Sequence, residues 1–219
     1  MAAMTTGSSS RAEANRRRIL DVALAELLRD PDASMNHIAR AAGVVRRTVY
    51  GHFPSREALI STLVDEAVAV LAAAHAGEDQ DGGDPAEALA RSVLAVWRIA
   101  DRYRLLVALA QRTVTMQGIR ERLTPVRRDT VRLLQRGLDE GTFASPLPAP
   151  ALAYVHEQIV FALMEAVNDG LLSTREAGRS AAVTALTAAG VPATLATALV
   201  ARVSESVGTG EPVGTGGTD

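Results

Sequence analysis

The sequence predicts an all-α protein in which a small N-terminal group of three helices precedes a larger helical domain. Alanine is abundant and aromatic residues make up only 3% of the 219 residues, and such a composition favours helices. Apolar residues recur at three- and four-residue steps, and no segment shows the strict alternation of a half-buried strand. We expect domains at residues 11–60 and 61–206, between disordered tails at 1–10 and 207–219.

Caps and breaks define the N-terminal helices. Ser10 and Glu13 form a capping-box pattern that opens a first helix, and the Asp30-Pro31 pair ends it. A short second helix follows, with apolar residues at three- and four-residue steps on one face. Gly43 then supplies the positive backbone angle that an abrupt reversal requires. Since this turn is short, the second and third helices must cross steeply.

The same kinds of signal predict the remaining helices. Ser55 is placed to cap the fourth helix. Asp84, Pro85 and Glu87 provide an N-cap, a proline at the first helical position and a capping-box acid for the fifth. The predicted helices cover residues 56–75, 85–99, 103–116, 124–141, 150–169, 174–189 and 192–206.

Residues 34–60 have the layout of a helix-turn-helix DNA-binding motif. In its second helix the apolar positions face the core and leave Arg46 and Arg47 on the outer surface. Arginine can pair bidentately with the O6 and N7 acceptors of guanine in the major groove, whereas hydroxyl and imidazole groups can donate to phosphate oxygens. The residues assigned to DNA contact are Arg46, Arg47, Thr48, Tyr50, His52, Ser34, Ser55, Arg56 and Arg16.

The run GVVRRTVYGHFPSREAL, residues 43–59, resembles the signature of the tetracycline-repressor (TetR) family. The matching positions are Gly43, Val44, Thr48, Val49, Tyr50, His52, Phe53, Ser55, Arg56, Glu57 and Leu59. The resemblance implies a DNA-binding transcriptional regulator, commonly a repressor, whose C-terminal domain binds an unknown small-molecule effector and forms a homodimer. Two recognition helices one helical turn apart would then read a palindromic double-stranded operator.

Two positions depart from the family pattern. Val45 stands where the family usually has Ser or Ala, and valine cannot cap the helix that follows. A lost cap typically costs about 0.5 to 2 kcal/mol. Gly51 occupies a variable position from which a side chain would otherwise reach the groove. Both departures concentrate base reading on Arg46 and Arg47.

The distribution of charge agrees with an N-terminal DNA-binding domain. The whole chain has a net charge of −2, and all 23 basic residues are arginine. Residues 11–57 nevertheless hold nine arginines against six acidic residues, a balance of +3. The local field rather than the total charge steers association with nucleic acid. The acidic balance of the chain therefore does not exclude DNA binding.

The predicted helix over residues 150–169 is apolar nearly all round, so it needs cover on two sides. Pairing with its copy in a second subunit is the simplest way to provide that cover. The resemblance implies that this helix and the one over residues 174–189 form a four-helix dimer interface.

The resemblance also implies a ligand cavity in the C-terminal domain. Aromatic, methionine and histidine side chains could line an apolar pocket with a few polar groups. The same residue types on a helix face more often serve as core packing. The candidate lining residues are Trp97, Tyr103, Met116, Tyr154, His156, Phe161 and Met164.

Composition argues against several other classes of protein. The absence of cysteine excludes disulfides, thiolate metal sites and cysteine nucleophiles. The four histidines lack metal-ligand spacing, and no nucleophile–base pair or acid pair stands at a recognisable spacing, so we expect no metal, no cofactor and no enzyme activity. No segment has the length of a membrane span and no signal peptide is evident, so we expect no membrane partner and a cytoplasmic location.

Other interpretations of these residues remain open. The paired arginines could form a solvated helix face, Tyr50 and His52 could be packing residues, and His37 is expected to be solvated. The protein could instead be a helical small-molecule-binding or interaction protein whose DNA surface has decayed, as Val45 and Gly51 suggest. Retention of both arginines argues against that alternative.

Overall fold

The computed structural model describes residues 6–76, 83–111 and 115–208, and every regular element in these ranges is an α-helix. The all-α prediction is therefore confirmed for the described residues. In chain order the helices are α1 (Thr6–Arg29), α2 (Met35–Ala41), α3 (Arg46–His52), α4 (Arg56–Ala76), α5 (Pro85–Ala110), α6 (Met116–Arg122), α7 (Thr124–Asp139), α8 (Ala149–Asn168), α9 (Thr174–Ala188) and α10 (Ala193–Gly208).

The chain divides into two compact units. The N-terminal unit extends to Ala69 and also includes Tyr103–Arg122, whereas the C-terminal unit comprises Val70–Arg102 and the described residues from Leu123 onward. The domain boundary predicted at residue 60 falls inside α4. The prediction assigned all residues after 60 to the second domain, whereas α6 belongs to the N-terminal unit. Packing between segments distant in sequence leaves no local signal in either of them.

The core of the N-terminal unit lies where α1, α2 and α3 pack on one another. Ile19 and Leu20 of α1, Ile38 of α2 and Val49 of α3 are all completely or almost completely buried. Burial of one such side chain contributes about 1.5 to 3 kcal/mol. Helices of seven residues are not stable in isolation, so these contacts hold α2 and α3 in place.

Both ends of the described helical region differ from the prediction. Helix α1 begins at Thr6, so the predicted start at Ser10 is wrong and residues 6–10 are helical rather than part of a tail. Adding Ser or Thr to an existing helix costs less than about 0.7 kcal/mol per residue, so a capping-box pattern alone does not stop it. Helix α10 continues to Gly208. The remaining tail predictions, for residues 1–5 and 209–219, lie outside the described residues.

Helix α5 is continuous from Pro85 to Ala110, so the predicted break between residues 99 and 103 is wrong. The intervening Ala-Asp-Arg sequence contains neither glycine nor proline, and nothing there interrupts the helical hydrogen bonds. Met116 begins α6 instead of ending a helix that starts at residue 103. Residues 112–114 of that predicted helix lie outside the described residues.

In the C-terminal unit, α7 packs on α8, and α9 packs on both α8 and α10. The turn after α9 requires a glycine, because Gly190 has a φ of 94°. A Cβ atom there would also lie 2.6 Å from the carbonyl carbon of Ala144. The residues that α9 buries are mostly small: Ala177, Gly178, Ala181, Ala182, Ala185 and Leu186. Small side chains let neighbouring helices pack on two sides of α9.

Candidate functional site

A tight turn after α2 positions the recognition helix α3. Gly43 adopts a φ of 63°, and the backbone N–H groups of Gly43 and Val44 donate to Arg40 and Ala39 carbonyls at 3.0 Å each. Val45 is the N-cap residue of α3; its backbone is extended, and its side chain forms no capping hydrogen bond. Val49 is the buried residue of α3. The prediction that α3 lacks a side-chain cap is therefore confirmed.

The outer face of α3 carries the residues predicted to face the DNA. Arg46, Arg47, Tyr50 and Gly51 are all exposed. The Arg46 guanidinium lies over the Tyr50 ring, with its Cζ 5.0 Å from the ring centroid, and its Nη2 is 3.5 Å from the Tyr50 hydroxyl. Within the described part of the chain, Arg47 forms no hydrogen bond or ion pair. Its guanidinium thus has all its donors available to a base edge.

Two serines predicted to contact phosphate act as helix caps. The hydroxyl oxygen of Ser34 accepts from the His37 backbone N–H, and that of Ser55 accepts from the Ala58 N–H, both at 3.2 Å. Hydrogen bonds from the Glu57 backbone N–H and from Ser55 lower the pKa of the Glu57 carboxyl, and the nearby Arg56 charge adds to this effect. The cap predicted at Ser55 is confirmed.

Arg56 has a structural role that the sequence did not indicate. Its Nε donates to the Ala33 carbonyl at 3.3 Å, and its Nη2 donates to the Pro31 carbonyl. The guanidinium therefore braces the connection between α1 and α2 from the start of α4. The sequence placed Arg56 beside a phosphate because its position relative to α1 could not be known. His52 and Thr48 are half-buried, and the His52 ring lies 6.2 Å from that of Phe53.

Arg16 likewise connects helices of the N-terminal unit. Its Cζ lies 5.6 Å from the centroid of the Phe53 ring, and its Nη1 lies 3.8 Å from the Glu66 carboxylate in α4. A cation over an aromatic face contributes about 0.5 to 1 kcal/mol at exposed sites. The neighbouring Arg18 occupies the space beside Gly43, where a Cβ would lie 2.5 Å from its Nη2. Because the end of the Arg18 side chain can move away from such a Cβ, the requirement for glycine at position 43 comes from its φ.

The His37 side chain is 38% exposed, in line with the expectation that it is solvated, but it also has a partner in α1. Its Nε2 lies 2.5 Å from a Glu26 carboxylate oxygen in α1, and Glu26 also accepts from Arg29. This contact joins α1 to α2 next to the Ser34 cap. The spacing of eleven residues between the two partners gives no periodic signal in the sequence.

The candidate ligand residues are divided between the two units. Tyr103 and Met116 are half-buried in the N-terminal unit. In the C-terminal unit, Trp97, His156 and Met164 are buried and Phe161 is half-buried. Tyr154 is 43% exposed, because it lies on α8 away from the buried Leu152 and His156. The prediction that Tyr154 lines a buried pocket therefore has no support from its position.

Trp97 and His156 in the C-terminal unit have buried polar atoms without hydrogen-bond partners in the described part of the chain. Among the described residues, neither Trp97 Nε1 nor either ring nitrogen of His156 has a hydrogen-bond partner. Trp97 packs on α9, where a Cβ at Gly178 would lie 2.7 Å from its Cδ1. Burial lowers the pKa of His156 to about 4. A contact with the Ala185 backbone, which lies outside normal hydrogen-bond geometry, only partly opposes this effect. Unpaired polar groups of this kind are uncommon in protein cores and require an explanation.

The described residues hold no group of three or more His, Asp or Glu side chains that could bind a metal ion. Their helices also include none with the length and apolar character needed to cross a membrane.

Comparison of the sequence with known families finds a match in the N-terminal helices. The sequence model described as "Bacterial regulatory proteins, tetR family" matches residues 19–63. This range extends from α1 into α4 and contains the whole helix-turn-helix. No curated protein matches the chain in sequence.

Several solved structures share the fold over most of their length. RolR in complex with resorcinol is 20% identical, with a TM-score of 0.62, and the match covers 89% of this chain and 96% of RolR. LfrR from Mycobacterium smegmatis in complex with proflavine is 24% identical, with a TM-score of 0.62, covering 80% of this chain and 96% of LfrR. FadR from Bacillus subtilis in complex with stearoyl-CoA is 16% identical, with a TM-score of 0.68, covering 78% and 98%. At these identities the likeness shows a shared fold.

Proposed function

We propose that this chain, a transcriptional regulator of the TetR family, represses transcription in the cytoplasm by binding a palindromic operator as a homodimer. In this proposal a small molecule bound by the C-terminal unit releases the operator. The observation that carries the proposal is the pair of exposed arginines on α3, directly after the turn at Gly43. The N-terminal residues of a recognition helix contact base edges in the major groove.

The contacts within the N-terminal unit support α3 as the reading element. A seven-residue helix has little stability of its own. Here Arg16 and the Arg56 brace join α1, α3 and α4 around it. Arg47 has no partner in the described residues, and Arg46 is held only by exposed contacts with Tyr50. The rival interpretation, a decayed DNA surface, gains no support, because α3 forms without a cap at Val45.

Selection of binding sites from randomised duplex DNA with the full-length protein tests this proposal. We expect recovered sites to be palindromic, with half-sites about 10 base pairs apart. Binding should weaken steeply with salt, because each phosphate neutralised by the protein releases counterions. Failure to recover any sequence-selective, salt-sensitive binding would refute the DNA-binding function.

A partly uncovered helix supports the homodimer. Helix α8 leaves a row of apolar side chains half-exposed, with Tyr154 at 43% exposure. These half-exposed residues are Val155, Ile159, Val160, Phe161, Leu163 and Val167. The outer face of α9 is instead polar, because its apolar face already packs on α8 and α10. We therefore place the proposed interface on α8 and not on residues 174–189.

Sedimentation of two variants tests this assignment. Tyr154→Glu adds a charge to the exposed face of α8 and should shift the dimer toward monomer. Thr184→Glu adds the same charge to the exposed face of α9 and should leave the dimer intact. Dissociation by the α9 variant alone would move the interface to α9, and a wild-type monomer at micromolar concentration would refute the dimer.

The unpaired polar atoms support a ligand site at Trp97 and His156. Because the pKa of His156 is about 4, its imidazole is neutral near pH 7 and offers one donor and one acceptor. Trp97 offers one further donor and a flat apolar ring. A small uncharged aromatic molecule with hydroxyl groups could form hydrogen bonds with the polar atoms of either residue. Resorcinol, the molecule named with RolR, has this chemistry.

The fluorescence of Trp97 can test ligand binding directly, because it is the chain's one tryptophan. Resorcinol should change the Trp97 emission and weaken operator binding, whereas benzene, which lacks hydroxyl groups, should bind less tightly. His156→Leu should weaken resorcinol binding by about 1 kcal/mol, the usual value of one hydrogen bond. No change in emission with any hydroxylated aromatic molecule would argue against this site.

A further inference from the structure

Val45 is an exposed apolar residue at the start of the recognition helix. It is 67% exposed, and its backbone has the extended geometry of an N-cap (φ −76°, ψ 149°) with no side-chain hydrogen bond. Val49, one helical turn later, is completely buried. Val45 therefore contributes neither to the core nor to the cap of α3.

Other helices of this chain begin differently. Ser34 and Ser173 cap α2 and α9 through their hydroxyl oxygens. Helices α7 and α8 lack a side-chain cap but have proline in their first turn, which is preorganised for a helix. Helix α3 has neither feature, although Ser, Thr, Asp or Asn at position 45 would stabilise it. Retaining valine there has no explanation in the folded chain alone.

The chemistry of the DNA major groove provides an explanation for a valine at position 45. Thymine presents a C5-methyl group at its edge, and apolar side chains recognise thymine through this methyl. Valine has two methyl groups and no donor or acceptor, so its side chain can contact a base edge only in this way. Arg46 and Arg47, the next two residues, are exposed and suited to guanine. Gly51 has open space at its Cβ position and contributes no side chain to the groove.

We propose that Val45 is a specificity-determining residue that contacts the C5-methyl group of a thymine in each operator half-site, beside the base pairs contacted by Arg46 and Arg47. This inference rests on the proposed DNA-binding function. It predicts that recovered half-sites contain an invariant thymine close to a guanine.

Replacement of thymine by deoxyuridine tests the contact, because it removes the methyl group and leaves base pairing unchanged. The probe is a duplex recovered by selection with the full-length protein, in which each thymine is replaced in turn. In each half-site one particular thymine should be sensitive: replacing that single thymine should weaken wild-type binding about fourfold, the value of one buried methyl group. Val45→Ala should bind the thymine duplex more weakly and should not respond to that replacement.

Two further variants serve as controls. Val70→Ala removes the same atoms from a valine in α4 that is 48% exposed, and it should keep the wild-type response to deoxyuridine. Val45→Ser restores a capping residue, so the helix is stabilised, yet the variant should also lose the response. If the Val45→Ser protein is folded and has lost the response, the loss is due to the missing contact with the methyl group and not to unfolding.

Two results would overturn the inference. One is that no single thymine replacement weakens wild-type binding. The other is that Val45→Ala and Val45→Ser respond to deoxyuridine as strongly as the wild type. Both results presuppose that selection recovers a duplex, whereas failure of the proposed DNA-binding function would appear earlier, as the absence of any selected sequence.

Discussion

Helices α3 and α9 differ in what decides the identity of their residues. Helix α3 has seven residues and buries Val49, whereas α9 has fifteen and buries six, mostly alanine and glycine. In α9, packing on α8 and α10 restricts the buried positions to small side chains. In α3, the outer positions have no such restriction: Arg46 contacts only the exposed Tyr50, and Arg47 forms no hydrogen bond or ion pair with the described residues. The residue types on the outer face of α3 are therefore evidence about binding, whereas those on the buried face of α9 are evidence about core packing.

The largest effect that this contrast predicts concerns paired arginines. Replacing both Arg46 and Arg47 by Ala should cost about 2 to 6 kcal/mol of operator affinity per half-site, since each bidentate base contact is worth about 1 to 3 kcal/mol. Arg175 and Arg179, an exposed pair on α9, are the matched control and should leave affinity unchanged. Fluorescence anisotropy with a selected duplex at fixed salt measures both. Equal losses from the two pairs would show that only net charge matters.

A second prediction concerns the burial of His156 against α9. Its pKa is about 4 in the folded protein and 6.5 without burial. The unfolded chain therefore takes up a proton between pH 6.5 and pH 4 while the folded protein does not. The free energy of unfolding should fall by about 3 kcal/mol as the pH is lowered through this window, and change little from this group above it.

Urea unfolding monitored by Trp97 fluorescence at several pH values measures this effect. His156→Leu removes the titrating group, so the difference in unfolding free energy between variant and wild type should depend on pH only between about 4 and 6.5. The same pH dependence in both proteins would show that carboxyl groups, not His156, cause it.

Features of the fold and the candidate site could be predicted from the sequence where they depend on neighbouring residues, and not where they depend on distant ones. The exposed face of α3 and the cap at Ser55 depend on residues within four positions, and local pattern predicted them, whereas the cap at Ser34 was found only in the structure. The contacts of Arg16 and Arg56 were missed because their partners lie more than twenty residues away in the chain. In the C-terminal unit, local pattern identified Trp97 as a candidate. It could not indicate that a histidine on α8 and a tryptophan on α5 both pack against α9 without polar partners.

A third prediction tests the constraint on α9. Gly178→Ala places a Cβ 2.7 Å from Trp97 Cδ1, so the ring or the helix must shift. Such overpacking typically costs about 1 to 3 kcal/mol. Urea unfolding should show this loss, and the Trp97 emission maximum should shift in the folded variant. Unchanged stability and emission would mean that the Trp97 side chain moves freely, which would also weaken the case for a defined ligand site there.

The smallest predicted effect has the opposite sign and concerns α3. Gly51 has open space around a Cβ position and no positive φ, so alanine fits without strain. Glycine within a helix is destabilising by roughly 0.5 to 1 kcal/mol relative to alanine. Gly51→Ala should therefore slow hydrogen exchange of the α3 amides about two- to fivefold if α3 opens as a local unit. Faster exchange would show that α3 packs more tightly than its exposure indicates. Slower exchange combined with weaker operator binding would show that the absent side chain at position 51 is itself part of the reading surface, since the added methyl group would then meet DNA and not protein.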